Sequence, residues 1–162
     1  MILAGVLDKF PSLKIMLAHS GGTLPALSSR LASCIDHDPV VVSRLKHDAR
    51  YYLGQLYFDA VAYGSEELGF VSSAIGRSAA YSDPSASASA VASLEIEGKL
   101  RSSGSGRMLF GTDHPFFPPL KGSDKWKSVT ENLAAINGVA GWGDKERDAV
   151  CGGNALRIFS LS

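Results

Sequence analysis

The sequence predicts an α/β fold built on a parallel sheet. Three short apolar runs, at 13–19, 56–61 and 107–111, read as strands. Stretches with apolar residues every three or four positions separate them, which is helical spacing. In the first run, Ile15-Met16-Leu17-Ala18 is continuous rather than alternating, the pattern of a strand covered on both faces. Strand, helix, strand, helix, strand, helix is the order of a parallel sheet with right-handed crossovers. The chain has 162 residues, enough for one domain. A complete (β/α)8 barrel needs about 200 to 250, so the chain is not one by itself.

The elements follow in order. Ile2, Leu3, Val6 and Leu7 recur at helical spacing, so residues 1–10 read as the end of an amphipathic helix closed by Pro11. After the first strand, Ser20-Gly21-Gly22 forms a turn and Thr23 stands as an N-cap with Pro25 in the first turn. Leu24, Leu27, Leu31 and Ile35 mark that helix's buried stripe, and a second helical stretch runs over 40–52. Beyond the second strand, LYFDAV, Ser65 opens a helix whose Glu66 and Glu67 suit its positive end. Its inner stripe is Leu68, Val71 and Ile75.

Residues 81–105 stand apart. They are rich in Ser and Ala and poor in large apolar side chains, so they read as a disordered insertion with at most a fragile helix near 91–100. The third strand, RMLFG, follows. Ser123 or Asp124 then caps a helix facing inward through Trp126, Val129, Leu133 and Ile136. Asp144 starts a further helix, and Asn154 caps the last one, which ends at Phe159.

Composition narrows the function. Hydrophobic residues are 45% and charged residues 20%, a globular balance rather than a disordered one. Sixteen basic residues offset sixteen acidic ones, so no bulk charge draws the chain to nucleic acid. No apolar run approaches the length that spans a bilayer, and no signal peptide opens the chain. Neither nucleic acid nor membrane is therefore expected as a partner. Cys34 and Cys151 lack zinc-finger spacing and read as small buried apolar residues. Unlinked cysteines fit a reducing, cytoplasmic setting. No P-loop, GxGxxG, GxSxG or HExxH occurs.

Two strand ends carry the chemistry. LAHSGG puts His19 at the carboxyl end of the first strand, and FGTDHPFF puts Asp113 and His114 at the carboxyl end of the third. In parallel α/β folds, side chains at those ends converge on the ligand side. Imidazole and carboxylate are ordinary metal ligands and proton carriers. Gly21 and Gly22 allow close backbone approach to a substrate. A structural His and a turn-forming Asp are the alternatives. Asp59, inside LYFDAV, reads either as a hydrogen-bond partner behind a metal's ligands or as a carboxylate bound to backbone. Phe116 and Phe117 are candidates for lining a pocket, with ordinary packing the alternative. His37 and His47, in IDHDP and LKHDAR, read as solvated surface residues.

GVLDKFPSLKIMLAHSGGTLP, LYFDA, LFGTDHPFFPPL and GGNALRIF, in this order, resemble the amidohydrolase-related family. The nearest group is the metal-dependent decarboxylases similar to aminocarboxymuconate semialdehyde decarboxylase. The resemblance implies a distorted TIM-like (β/α)8 barrel, of which this chain is the C-terminal portion: three β/α units, strands six to eight. Residues 1–162 then form a partial domain. The resemblance also implies one divalent metal, most commonly zinc, with Asp113 as its ligand and orienter of bound water. It gives His19 the acid/base role and puts Phe116 in the substrate-lining turn; Gly21 and Gly22 as substrate-binding residues, and His114 and Asp59 as supporting ones, rest on their places in the sequence alone. Asn154 opens the terminal helix. The expected substrate is a small carboxylic acid, decarboxylated or, alternatively, hydrolysed. The family's His-x-His pair does not occur here, so a truncated, non-catalytic fragment is the other reading. Uncovered barrel strands would then favour self-association.

Overall fold

The computed structural model describes residues 1–82, 94–120, 122 and 125–161. Three parallel strands, β1 (Met16–Leu17), β2 (Tyr57–Asp59) and β3 (Met108–Leu109), form one sheet in the order β1-β2-β3. Met16 pairs with Tyr57, and Phe58 with Met108. The strands are shorter than the apolar runs that contain them. Phe58 and Met108 are fully buried, but Met16 on the edge strand is 54% exposed. Coverage of β1 on both faces, expected from its continuous apolar run, is therefore not what the fold provides.

The helices are α1 (Val6–Lys9), α2 (Leu24–Asp36), α3 (Pro39–Val42), α4 (Ser65–Arg77), α5 (Leu94–Ser105), α6 (Lys127–Gly138), α7 (Asp144–Asp148) and α8 (Asn154–Phe159). Tyr52, Phe58, Leu68, Met108, Ile136, Val139, Trp142 and Val150 form the main core between sheet and helices. Burying a side chain of this size contributes about 1.5 to 3 kcal/mol. Among the described residues, no helix is long and apolar enough to cross a membrane.

Several elements depart from the sequence pattern for local reasons. Residues 1–10 are not one helix. A 3-10 turn at Ile2–Ala4 ends at Gly5, whose φ of 62° breaks the run before α1. A Cβ there would lie 2.9 Å from the Arg44 carbonyl oxygen. The stretch 40–52 is likewise two pieces. Asp38 caps α3 by accepting from the Val40 and Val41 amides. Asp48 caps a separate 3-10 segment, Ala49–Gln55, through the Arg50 amide. Such carboxylates satisfy donors that a helix start leaves free.

Helix faces also turn away from the simplest apolar stripe. In α2 the buried residues are Pro25, Ala32 and Ile35, while Leu27 is 49% exposed, and Thr23 makes no side-chain cap bond. In α6 they are Ser128, Asn132, Ala135 and Ile136, with Leu133 on the exposed side. Ser123 and Asp124, expected as its cap, lie outside the described residues; Trp126 holds the N-cap position. In α4 the expected stripe of Leu68, Val71 and Ile75 is buried. Cys34 and Cys151 are exposed, not buried. His47 is half-buried, its ring 4.0 Å from that of Tyr51 and its Nδ1 2.7 Å from the Ser82 carbonyl.

Of the insertion expected over 81–105, residues 81–82 and 94–105 are described, and over 94–105 a helix stands where the sequence predicts disorder or a fragile helix. That helix is α5, packed along α4. The helices meet through glycine against backbone: a Cβ at Gly76 would collide with the Leu100 carbonyl, and one at Gly104 with the Ser72 carbonyl. Polar bonds add to this contact. Ser72 Oγ donates to the Arg101 carbonyl at 2.6 Å, and Trp142 Nε1 donates to the same oxygen at 2.9 Å. Helices lacking large apolar side chains can pack when their backbones approach this closely. Residues 83–93 lie outside the described part of the chain.

The last helices lock the amino end of β3. A π turn, Ala149–Gly153, leads into α8. Asn154, expected as a cap, is instead the first residue of α8 and is buried. Its Nδ2 donates to the Ser105 carbonyl at 2.8 Å and to the Met108 carbonyl at 2.7 Å.

Candidate active site

The carboxyl ends of β1, β2 and β3 share one end of the sheet, and the chain there adopts costly conformations. His19, Ser20, Tyr63, Asp113 and Phe117 have φ between 51° and 60°. Non-glycine residues seldom occupy this left-handed region, and those that do cluster at sites the surrounding structure over-determines.

Asp59, at the end of the central strand, imposes the first of these turns. Its Oδ2 accepts from the His19 amide at 3.0 Å, and its Oδ1 from the Ser20 amide at 2.8 Å and the Val61 amide at 3.1 Å. Ser20 Oγ donates to the Asp59 carbonyl at 3.1 Å. Asp59 is thus bound to backbone and aims His19 through its main chain. Gly21 follows with φ 79°. A Cβ there would lie 2.7 Å from the Phe58 ring, so packing alone accounts for this glycine. Gly22, at φ 58°, has open space around its Cβ position.

His19 Nδ1 lies 4.0 Å from Asp113 Oδ1; the imidazole side chain is 64% exposed and the carboxylate only 12%. The second Asp113 oxygen is held separately. Tyr63 Oη donates to Oδ2 at 2.7 Å. Desolvation, with the hydrogen bond to Asp113, pushes the Tyr63 phenol up to about 12, so it stays a proton donor at neutral pH. The Tyr63 amide donates to Asn132 Oδ1 at 3.0 Å, and its ring meets Phe117 edge-on at 5.9 Å.

Two of the sequence candidates, His19 and Asp113, therefore come together from different strands. His114 points elsewhere: its ring packs against Trp126 at 4.5 Å. Phe116 is largely exposed and donates its amide to the Asp113 carbonyl at 2.9 Å. Tyr63 was not evident from the sequence. The one signal available was its place just past a strand end, at the same end of the sheet as His19 and Asp113.

A metal needs more donors than this chain brings. Catalytic zinc takes three protein ligands plus water. Among the described residues no three His, Cys, Asp or Glu side chains gather closely enough to hold an ion. His19 and Asp113 supply two donors, so these residues do not constitute the expected metal site on their own.

Comparison with known proteins supplies the wider setting. Residues 1–161 match the family described as Amidohydrolase. The 2-amino-3-carboxymuconate-6-semialdehyde decarboxylase of Dictyostelium discoideum is 24% identical over 164 residues, covering 99% of this chain and 35% of that protein. The crystal structure of Metarhizium anisopliae IDCase in apo form is 36% identical with a TM-score of 0.73, over 99% of this chain and 37% of that one. A dihydroxybenzoic acid decarboxylase from Polaromonas sp. JS666, solved with bound manganese and the inhibitor 2-nitroresorcinol, aligns with a TM-score of 0.60 at 20% identity. It covers 99% of this chain and 37% of that one. The chain thus spans little more than a third of the proteins it matches, and its three strands align with part of their barrel architecture. By its sequence match and its fold, the chain belongs to the amidohydrolase family.

Proposed function

We propose that the chain forms the proton-handling end of a carboxy-lyase site acting on a small, aromatic or unsaturated carboxylic acid. The observation that carries this is the His19–Asp113 pair, 4.0 Å apart across two strand ends, in a chain whose relatives include named decarboxylases. In decarboxylation the bond from carbon to carboxylate breaks, carbon dioxide leaves, and the electron pair on carbon takes a proton. The exposed His19 ring is the donor of that proton, and Asp113 is its counter-ion. Asp59 sets the position of His19 from behind, and Tyr63 fixes the rotation of Asp113. In this reading the chain corresponds to strands six to eight of a barrel, and the further metal ligands come from outside the residues present here.

The test is carbon dioxide release from a panel of benzoates and unsaturated acids, with manganese or zinc supplied. His19→Ala and Asp113→Ala should each lower turnover at least about 100-fold, the usual worth of a positioned acid or base. His37→Ala is the control and should not. Turnover that survives both site substitutions contradicts the assignment.

The donor count favours a second reading, in which this chain alone is non-catalytic. It expects substoichiometric zinc after equilibration and no turnover of the panel. A full equivalent of zinc, lost in Asp113→Ala, would exclude it.

A further inference from the structure

Asn132 is a buried side chain to which the decarboxylase reading gives no task. It sits on α6 with no exposed surface, where an amide group is costly unless both of its ends are paired. Here both are, in opposite senses. Nδ2 donates to the Ser128 carbonyl at 2.9 Å, one turn back along the helix. Oδ1 accepts from the Tyr63 amide at 3.0 Å. Turned over, the group would set donor against donor and acceptor against acceptor, so only one orientation satisfies both neighbours. The first bond stays within α6. The second reaches a loop 69 residues away.

Tyr63 is where that second bond matters. Its φ of 60° is left-handed, a conformation that a residue with a Cβ adopts only under constraint. A fixed acceptor for its N–H is such a constraint. From this pinned backbone only two side-chain torsions lead to the ring. Phe117 meets the ring edge-on at 5.9 Å, and Oη donates to Asp113 Oδ2 at 2.7 Å. The remaining carboxylate oxygen, Oδ1, faces His19 Nδ1 at 4.0 Å. A line of contacts thus runs from the buried side of α6 to the carboxylate. Rotating the Tyr63 backbone would swing the phenol, and the Asp113 carboxylate would turn with it or lose the bond.

We propose that Asn132 is a positioning residue for Asp113. Acting through Tyr63, it fixes which carboxylate oxygen the phenol engages and which is left facing His19. Members of one hydrogen-bond network are coupled in this way. The consequence for catalysis rests on the decarboxylase reading; the relay from Asn132 to Asp113 does not.

The experiment follows the Asp113 carboxyl carbon by ¹³C NMR in the full-length chain, with turnover in the carbon dioxide assay read in parallel. Asn132→Ala and Tyr63→Phe should each shift that signal. The double variant should shift it no further than Tyr63→Phe alone, because the path from Asn132 is already cut. Gly104→Ala, which disturbs the α4–α5 contact, is the stability control and should leave the signal in place. The relay also runs backwards, since coupling is reciprocal. Asp113→Ala should speed exchange of the Tyr63 amide at least about twofold, the low end of coupling within one network. That arm does not require Asn132→Ala to fold. In turnover, Asn132→Ala should lower kcat, by up to about 100-fold as misplacement of a reacting group does, with KM little changed. An unmoved Asp113 signal in Asn132→Ala, additive shifts in the double variant, or unaltered exchange at Tyr63 would overturn the relay. The expected shifts in a chain without turnover would retain the relay and remove the decarboxylase reading. Turnover that is lost in Asp113→Ala, with an unmoved signal in Asn132→Ala, would do the reverse.

Discussion

Replacing Asp59 should loosen the turn that carries His19, and the two obvious replacements should do so unequally. Asp59→Ala removes three amide hydrogen bonds to one carboxylate, at 3.0, 2.8 and 3.1 Å. Bonds to a charged group are worth about 1.5 to 3 kcal/mol each, but bonds sharing a carboxylate do not add independently, and the one from His19 is exposed. A loss of about 3 to 5 kcal/mol is the resulting expectation. Asp59→Asn keeps Oδ1, and with it the bonds from Ser20 and Val61. It turns an amide group toward the His19 N–H, donor against donor. Losing only that bond should cost about 1 to 2 kcal/mol. Urea unfolding followed by circular dichroism gives the two values. Amide exchange gives the location: the Ser20 and Val61 protons should lose protection in the alanine variant and keep most of it in the asparagine one. Equal losses for the two variants, or undiminished protection in Asp59→Ala, would refute the role of this carboxylate.

Other substitutions test the remaining close contacts. Gly21→Ala places a Cβ 2.7 Å from the Phe58 ring at a φ of 79°. It should cost about 2 to 5 kcal/mol from backbone strain plus overpacking, read from the urea midpoint. Gly104→Ala drives a methyl into the Ser72 carbonyl. It should lower the melting temperature and speed amide exchange along α5, whereas Gly98→Ala, in open space on the same helix, should not. Tyr52 is buried, donates to Asp8 at 2.6 Å and accepts from the Lys46 and His47 amides. Burial, then the Asp8 contact, raises its phenol above the ordinary 10.0. The neutral form is the one the fold keeps, so this stabilisation is complete below pH 10 and is lost as pH rises beyond it. Tyr52→Phe should cost about 1 to 3 kcal/mol at neutral pH and flatten the decline in urea midpoint expected as pH rises above 10.

The sequence made the strands and the His19–Asp113 pairing legible, because an apolar run and a polar residue at its end are both local signals. Helix orientation was less legible. Leu27 and Leu133 fit apolar stripes yet face outward, since the sheet and neighbouring helices choose the buried face and α6 buries Ser128 and Asn132 instead. Helix α5 is hard to read because the usual cue is large apolar side chains, and it packs through glycines against carbonyls. Tyr63 and Asn132 are hard to read for a different reason. A tyrosine in a loop and an asparagine in a helix become informative only when the fold sets one against Asp113 and the other against the Tyr63 amide.

The left-handed backbone at His19, Ser20, Tyr63, Asp113 and Phe117 has a consequence for engineering. Glycine at any of these positions would relieve strain of about 1 to 2 kcal/mol, so selection for stability alone would drift toward glycine at this end of the sheet. Each retained side chain is therefore a concession of robustness to whatever that side chain does. A library screened only for thermal survival should erode these five positions early, and one screened for ligand or turnover should hold them. Comparing the two libraries would map the working surface of the protein before any substrate is identified.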